Sequence, residues 1–276
     1  MKYTAKLPEC NVNVSSASPA REFLTLTVGL VAIAVAVFFL LGLVVDFLVP
    51  RISVSLERKM GKVFATRLAL KESGDDLQLY LQSLVDGLKT DCARLPYPLK
   101  VYVDPSDAVN AVALPGGNII VFKGLMDKVT SENELAFVLA HEMGHFAGRD
   151  HLHGLGRGLV LLLAAAVIGD GDSGAGALLS CGIGLTQAKF SRSRESKADL
   201  YALSAVNCLY GHVGGAAGFF QIIGEPEGEG GGFSHYFASH PEIDARTAAL
   251  EHAVVENGFA RRAVRPLPAF LKKAIR

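Results

Sequence analysis

Ser131-Glu132-Asn133-Glu134-Leu135-Ala136-Phe137-Val138-Leu139-Ala140-His141-Glu142-Met143-Gly144-His145 decides how this chain is read. Ser131 and Glu134 form the S-x-x-E pair of a capping box, which opens a helix. Leu135, Val138 and Leu139 then repeat at helical spacing, so one side of that helix faces a core. His141 and His145 are four residues apart and share a helix face. Two imidazoles so placed point at one metal ion, and Glu142 beside them reaches a water on it. The spacing predicts a helix that holds a catalytic Zn2+, one per chain, with Glu142 as general acid and base.

Catalytic zinc usually takes three protein ligands and keeps one position open. His151 is one candidate, because His141 to His151 fits H-E-x-x-H-x-x-G-x-x-H. That pattern also requires a methionine turn downstream, and no methionine follows Met143. His151 and His153 are then read as polar residues near the end of the motif helix. The second candidate is Glu195, in Arg194-Glu195-Ser196-Lys197-Ala198-Asp199. Glu195 and Asp199 share a face of a second predicted helix, and Ala198 and Ala202 are small enough to let two helices approach closely. Asp199 is placed to accept the free ring N–H of a ligand histidine. Read alone, this charged run is better taken as a solvated, ion-paired helix face, and it is the neighbouring His141–His145 motif that favours a ligand.

Four stretches together resemble the membrane-associated zinc endopeptidases related to HtpX and to the CAAX prenyl endopeptidases, within the gluzincin class. They are Asn110 to Val121, Phe137 to His145, Glu195 to Asp199, and Ser239-His240-Pro241-Glu242-Ile243-Asp244-Ala245-Arg246. The resemblance runs over roughly residues 70 to 255. It implies that His141, His145 and Glu195 bind zinc and that Glu142 is the catalytic acid and base. His240 and Arg246 are expected near the developing oxyanion. Alternatively His240 binds the zinc itself and blocks the water site. The fold expected is α+β and mostly helical, a zincin-like domain with a small antiparallel sheet, preceded by one transmembrane helix.

Asn110, Ala111, Val112 and Ala113 begin a predicted hairpin that turns at Gly116-Gly117. An exposed edge strand there would hold an extended peptide by backbone pairing, which ignores side-chain identity. Such pairing predicts broad specificity and a preference for unfolded segments, while cleavage of misfolded or membrane-associated polypeptides is what the resemblance implies.

Phe23 to Val45 carries no charge and is long enough to cross a ~30 Å hydrocarbon core. The run is too long for the apolar region of a signal peptide. Residues 1–22 read as a tail, 23–49 as the anchor, 50–95 as a helical linker, 96–258 as the catalytic core and 259–276 as a basic tail. Arg51, Arg58, Lys59, Lys62, Arg67 and Lys71 follow the span, against Lys2, Lys6 and Arg21 before it. That excess favours a cytoplasmic catalytic domain at a cell (inner) membrane, with a periplasmic one allowed. Cys10, Cys92, Cys181 and Cys208 show no C-x-x-C spacing and no disulfide framework, which suits a reducing compartment.

Residues 155–188 read as an apolar helical hairpin whose halves are each too short to span. It is either core or a tip that dips into the membrane interface. Multi-spanning relatives place transmembrane helices there, and this chain departs from them. GEPEGEGGG at 224–232 reads as a flexible loop. The formal net charge is zero, which argues against nucleic acid as a partner. The oligomeric state is not encoded. A competing reading is a proteolytically quiet chaperone or assembly factor using the same groove. A prenyl-protein processing enzyme would need more long apolar segments than the chain has.

Overall fold

A computed structural model describes residues 18–93, 95–168, 192–216, 218, 240 and 243–271, with backbone alone for 161–168. The chain divides into a unit of residues 1–44 and a unit of residues 45–276. Helix α1 (Pro19–Leu48) has 30 residues, and its side chains are largely exposed. It continues into a short turn, Val49–Arg51. Pro19–Arg51 is long and apolar enough to cross a membrane. The predicted tail before residue 18 lies outside the described residues.

The second unit begins with α2 (Val54–Arg67) and α3 (Asp76–Gly87). Ser53 and Asp75 cap them by accepting the N–H groups of Leu56 and Gln78. The apolar stripe of α3, Leu77, Leu81, Leu84 and Val85, enters the main core. Strands β1 (Lys100–Asp104), β2 (Ala111–Leu114) and β3 (Asn118–Phe122) follow. The remaining helices are α4 (Lys123–Lys128), α5 (Glu132–Ala147), α6 (Asp150–Ile168), α7 (Arg192–Tyr210) and α8 (Ile243–Glu256).

The sheet is mixed, not antiparallel as the sequence suggested. Its order is β1-β3-β2, with β3 antiparallel to β2 and parallel to β1. The hairpin was readable because Gly116 (φ 83°) and Gly117 (φ 87°) supply a turn that other residues resist. The pairing of β1 was not, since periodicity says which face a strand buries but not which neighbour it takes. The middle place goes to β3, whose Ile119 and Val121 face the main core while Ile120 packs with Tyr102, Val112 and Leu114 on the other face.

Two other expectations are corrected. The motif helix does not carry His151 and His153: α5 ends at Ala147, Arg149 adopts φ 54°, and Asp150 opens α6, which holds both. The absence of a disulfide is also overturned, because Cys92 and Cys208 are bonded, with Cα atoms 5.7 Å apart. They lie 116 residues apart in sequence, so their pairing is a property of the fold and leaves no spacing signature. Cys10 and Cys181 lie outside the described residues, as do residues 169–188 of the apolar hairpin and the loop at 224–232. The first arm of that hairpin is helical as far as Ile168.

The segment after α8 is strapped across the start of α5. Glu132 N–H donates to Arg265 C=O, Arg265 N–H donates to the Asn133 side chain, and Ser131 pairs with Pro266. Leu267 and Leu271 of this basic stretch are buried.

Candidate metal centre

Helix α5 is buried along almost its whole length and presents His141, Glu142 and His145 to the interior. Ser131 Oγ accepts Glu134 N–H at 3.2 Å, the first half of the expected capping box. The Glu134 carboxylate instead takes Thr130 N–H at 2.7 Å. Helix α7 lies against α5 at very short range. A Cβ on Gly144 would stand 2.8 Å from Ala198 Cα, so small residues on both helices set the approach. This contact carries Glu195 and Asp199 to the histidines.

His141 Nε2 and His145 Nε2 are 3.0 Å apart. His141 Nδ1 lies 2.9 Å from Asp199 Oδ1, an ion-pair contact more than an aligned hydrogen bond, and His145 Nδ1 lies 3.0 Å from Asp150 Oδ2. Both Nδ1 atoms therefore face carboxylates, and both Nε2 atoms aim at one point. At 3.0 Å the two Nε2 atoms must share either a proton or a cation, since two bare lone pairs would repel. Glu195 Oε1 lies 3.5 Å from His145 Nε2 and, like Glu142 Oε1, is buried without a hydrogen-bond partner. His240 adds Nδ1 at 3.3 Å from His141 Nε2 and 3.0 Å from Glu195 Oε2. Among the described residues, His141, His145, Glu195 and His240 bring their donor atoms within 4.8 Å of one another. Two or three imidazoles and a carboxylate with an unsatisfied oxygen are a donor set that suits zinc.

Glu142 Oε2 accepts Ala113 N–H at 2.9 Å, and its Oε1 stands 3.7 Å from His240 Nε2. The alternation of β2 turns the N–H groups of Ala111 and Ala113 away from β3, and Asn110 Oδ1 takes that of Ala111. Val112 points to the opposite face of the sheet. The edge strand expected to be exposed is buried from Asn110 to Leu114, and of the four residues predicted to hold substrate Ala113 reaches the cluster through its backbone. Arg246 is buried and donates two hydrogen bonds to Asp199, at 2.8 and 2.7 Å, with Nη1 2.9 Å from Glu195 Oε2. It sits behind the carboxylates, joining α8 to α7.

The charges follow from these contacts. Burial opposes a proton on His141, but Asp199 and Glu195 outweigh it and raise the pKa to about 9. Burial lowers the pKa of His145, and the Asp150 carboxylate offsets this only in part. Burial also resists ionisation of Glu195 and Asp199, yet His240 and His141 around the first, and Arg246 and His141 around the second, hold both well below the usual carboxylate range. Asp150 went unread in the sequence because it follows a break in the helix, and Ala113, expected to hold substrate, instead gives its main-chain N–H to Glu142, a role that no side chain advertises.

The chain matches the model of peptidase family M48 over residues 75–254, a stretch that includes α5, α7 and nearly all of α8. The chain belongs to peptidase family M48. Metalloprotease YcaL of Escherichia coli strain K12 is 30% identical over 180 residues, covering 63% of this chain and 68% of that protein. A Protease HtpX homolog of Desulfatibacillum aliphaticivorans is 30% identical over 241 residues, covering 72% and 76%. The mitochondrial metalloendopeptidase OMA1 of Schizosaccharomyces pombe is 26% identical over 218 residues, covering 74% and 63%. This M48 chain is a metalloendopeptidase, and its His-His-Glu-His cluster is where a catalytic metal fits.

Proposed function

We propose that this chain is a membrane-anchored zinc endopeptidase that cuts unfolded or membrane-associated polypeptides, in the service of protein quality control. His141, His145 and Glu195 hold the metal, and Asp199 and Asp150 orient the two imidazoles. The observation that carries this reading is the convergence of both Nε2 atoms and Glu195 Oε1 on one buried point, with Glu142 beside it. The chemistry zinc supplies at such a point is polarisation of the scissile carbonyl and a water acidified toward neutral pH.

Ala113 N–H holds one Glu142 oxygen and leaves Oε1 free to take the proton of the attacking water. Glu142 then delivers that proton to the leaving amine. Arg246 keeps Asp199 ionised and stands 2.9 Å from Glu195 rather than touching the oxyanion. Substrate pairing through the outward carbonyls of Ala111 and Ala113 fits broad specificity, and it requires this buried edge of β2 to open to the peptide. His240, within reach of both Glu142 and Glu195, supports a second reading: a latent form in which it is a fourth donor and excludes the water. That Glu142 and Glu195 are both in place favours catalysis over a purely chaperone-like role.

The Cys92–Cys208 bond supports placing the catalytic unit on the oxidising side of the membrane, against the positive residues that follow the span. To test the activity, zinc-loaded full-length protein in detergent is incubated with casein before and after chelation. Cleavage at many sites, lost with chelator and restored by zinc, is the expected result. An intact substrate at every step would sink the peptidase reading.

A further inference from the structure

The residues just after α5 grip the end of α1. Arg149 Nη1 donates to the carbonyls of Val49 and Ile52, at 3.0 and 2.6 Å. Val45 packs so close to Gly156 that a Cβ there would lie 2.6 Å from it. Between these points stands Asp46, the acid that ends the apolar run. His153 Nδ1 lies 2.8 Å from its Oδ1 and Arg157 Nη2 lies 3.4 Å from its Oδ2. Its Oδ1 also lies 3.6 Å from Arg194 Nη2. Arg194 Nη1 is 3.2 Å from Asp150 Oδ1, and Asp150 Oδ2 is 3.0 Å from His145 Nδ1.

The contacts form one chain of alternating acceptors and donors: Asp46, Arg194, Asp150, His145. Asp150 sets the tautomer and tilt of the His145 ring. Arg194 fixes Asp150 and also precedes Glu195 in α7. Arg194 is a weakly hydrated, planar cation that holds two carboxylates at once. Asp46 is the only one of the four that belongs to the anchor helix.

We infer that Asp46, at the end of the membrane span, is a positioning residue for the metal: through Arg194 and Asp150 it sets the orientation of His145. The last turn of α1, which belongs to the catalytic unit, is then part of the support of the metal site. This rests on the reading of His145 as a metal ligand. Asp150, His153 and Arg194 line a cavity of about 360 Å3 with Lys197 and Tyr201, so modest changes of side chain here do not open the core.

The test uses the full-length chain in detergent micelles. Zinc affinity is read by competition with a chromophoric chelator, and ligand geometry by the visible absorption of the cobalt-substituted protein. Asp46→Asn and Arg194→Gln are each expected to weaken zinc about 10-fold and to shift the cobalt bands. The double variant should be no weaker than the worse single one, since both cut the same chain. Asp46→Glu should recover most of the affinity, and it keeps the question open to measurement if Asp46→Asn fails to fold. Wild-type affinity and bands in Asp46→Asn and Arg194→Gln, alongside loss of binding in His145→Ala, would overturn the inference. Unchanged binding in His145→Ala would instead overturn the ligand assignment on which it stands.

Discussion

Arg246 sits behind the proposed metal ligands and holds two buried carboxylates, those of Asp199 and Glu195. Removing it leaves Asp199 buried without its main partner and takes a cation from 2.9 Å of Glu195. Arg246→Gln should therefore lose about 3–5 kcal/mol of stability in the chelated protein, measured by urea unfolding; a loss under about 1 kcal/mol would refute this role. Glu57 is another buried carboxylate, fully enclosed on α2. Burial resists its ionisation, but the His151 ring at 2.8 Å and nearby Arg149 outweigh that, so its pKa lies below 4.5. A depressed carboxylate stabilises the fold above its unfolded pKa, and that share is lost as pH falls through the folded value. Stability of the wild type should fall on acidification below about pH 4.5, the ordinary glutamate value. Glu57→Gln should be less stable near neutrality and show a shallower fall in the same range. Parallel slopes for the two proteins in pH-dependent melts would contradict the prediction.

At the scale of elements, the site depends on how closely α5 and α7 approach. Gly144 meets Ala198 where no Cβ fits. Gly144→Ala should push the helices apart, cost about 1–3 kcal/mol, and weaken zinc by moving Glu195 away from the histidines. A calorimetric melt and zinc competition on the same sample check both effects, and an unchanged pair of values would show that the contact is soft. This approach was partly legible in the sequence, because Ala198 and Ala202 announced a close face and i, i+4 spacing placed His141, His145, Glu195 and Asp199 on their helices. The break after Ala147 was not legible. It rests on Arg149 at φ 54°, a conformation that an arginine does not advertise, and so Asp150 was missed. The place of β3 between its neighbours was hidden for a related reason: strand pairing is decided by tertiary packing.

For the whole molecule, the Cys92–Cys208 bond closes a loop across the core, joining the turn after α3 to the ligand-bearing α7. Cross-links over long loops typically add about 2–4 kcal/mol. Cys92→Ser with Cys208→Ser should lower the melting temperature under non-reducing conditions and match the reduced wild type. Thiol alkylation of the chain in intact cells, followed by mass analysis, reads the bond directly. Protected cysteines support a catalytic unit facing an oxidising compartment, and freely alkylated ones would return it to the reducing side. Charge after the span pointed the other way in the sequence, because the positive-inside excess is a bias of insertion and carries no knowledge of the fold.

All of this hangs on one claim, that the buried cluster on α5 and α7 is a catalytic metal site with Glu142 as its base. The most direct measurement is zinc content and casein cleavage on the same preparations of wild type and Glu142→Gln. The account predicts about one zinc per chain in both, as expected of a three-ligand catalytic site. It also predicts cleavage at least 100-fold slower in the variant, as for loss of a general base. Equal cleavage by the two proteins, or loss of zinc from the variant, would contradict it.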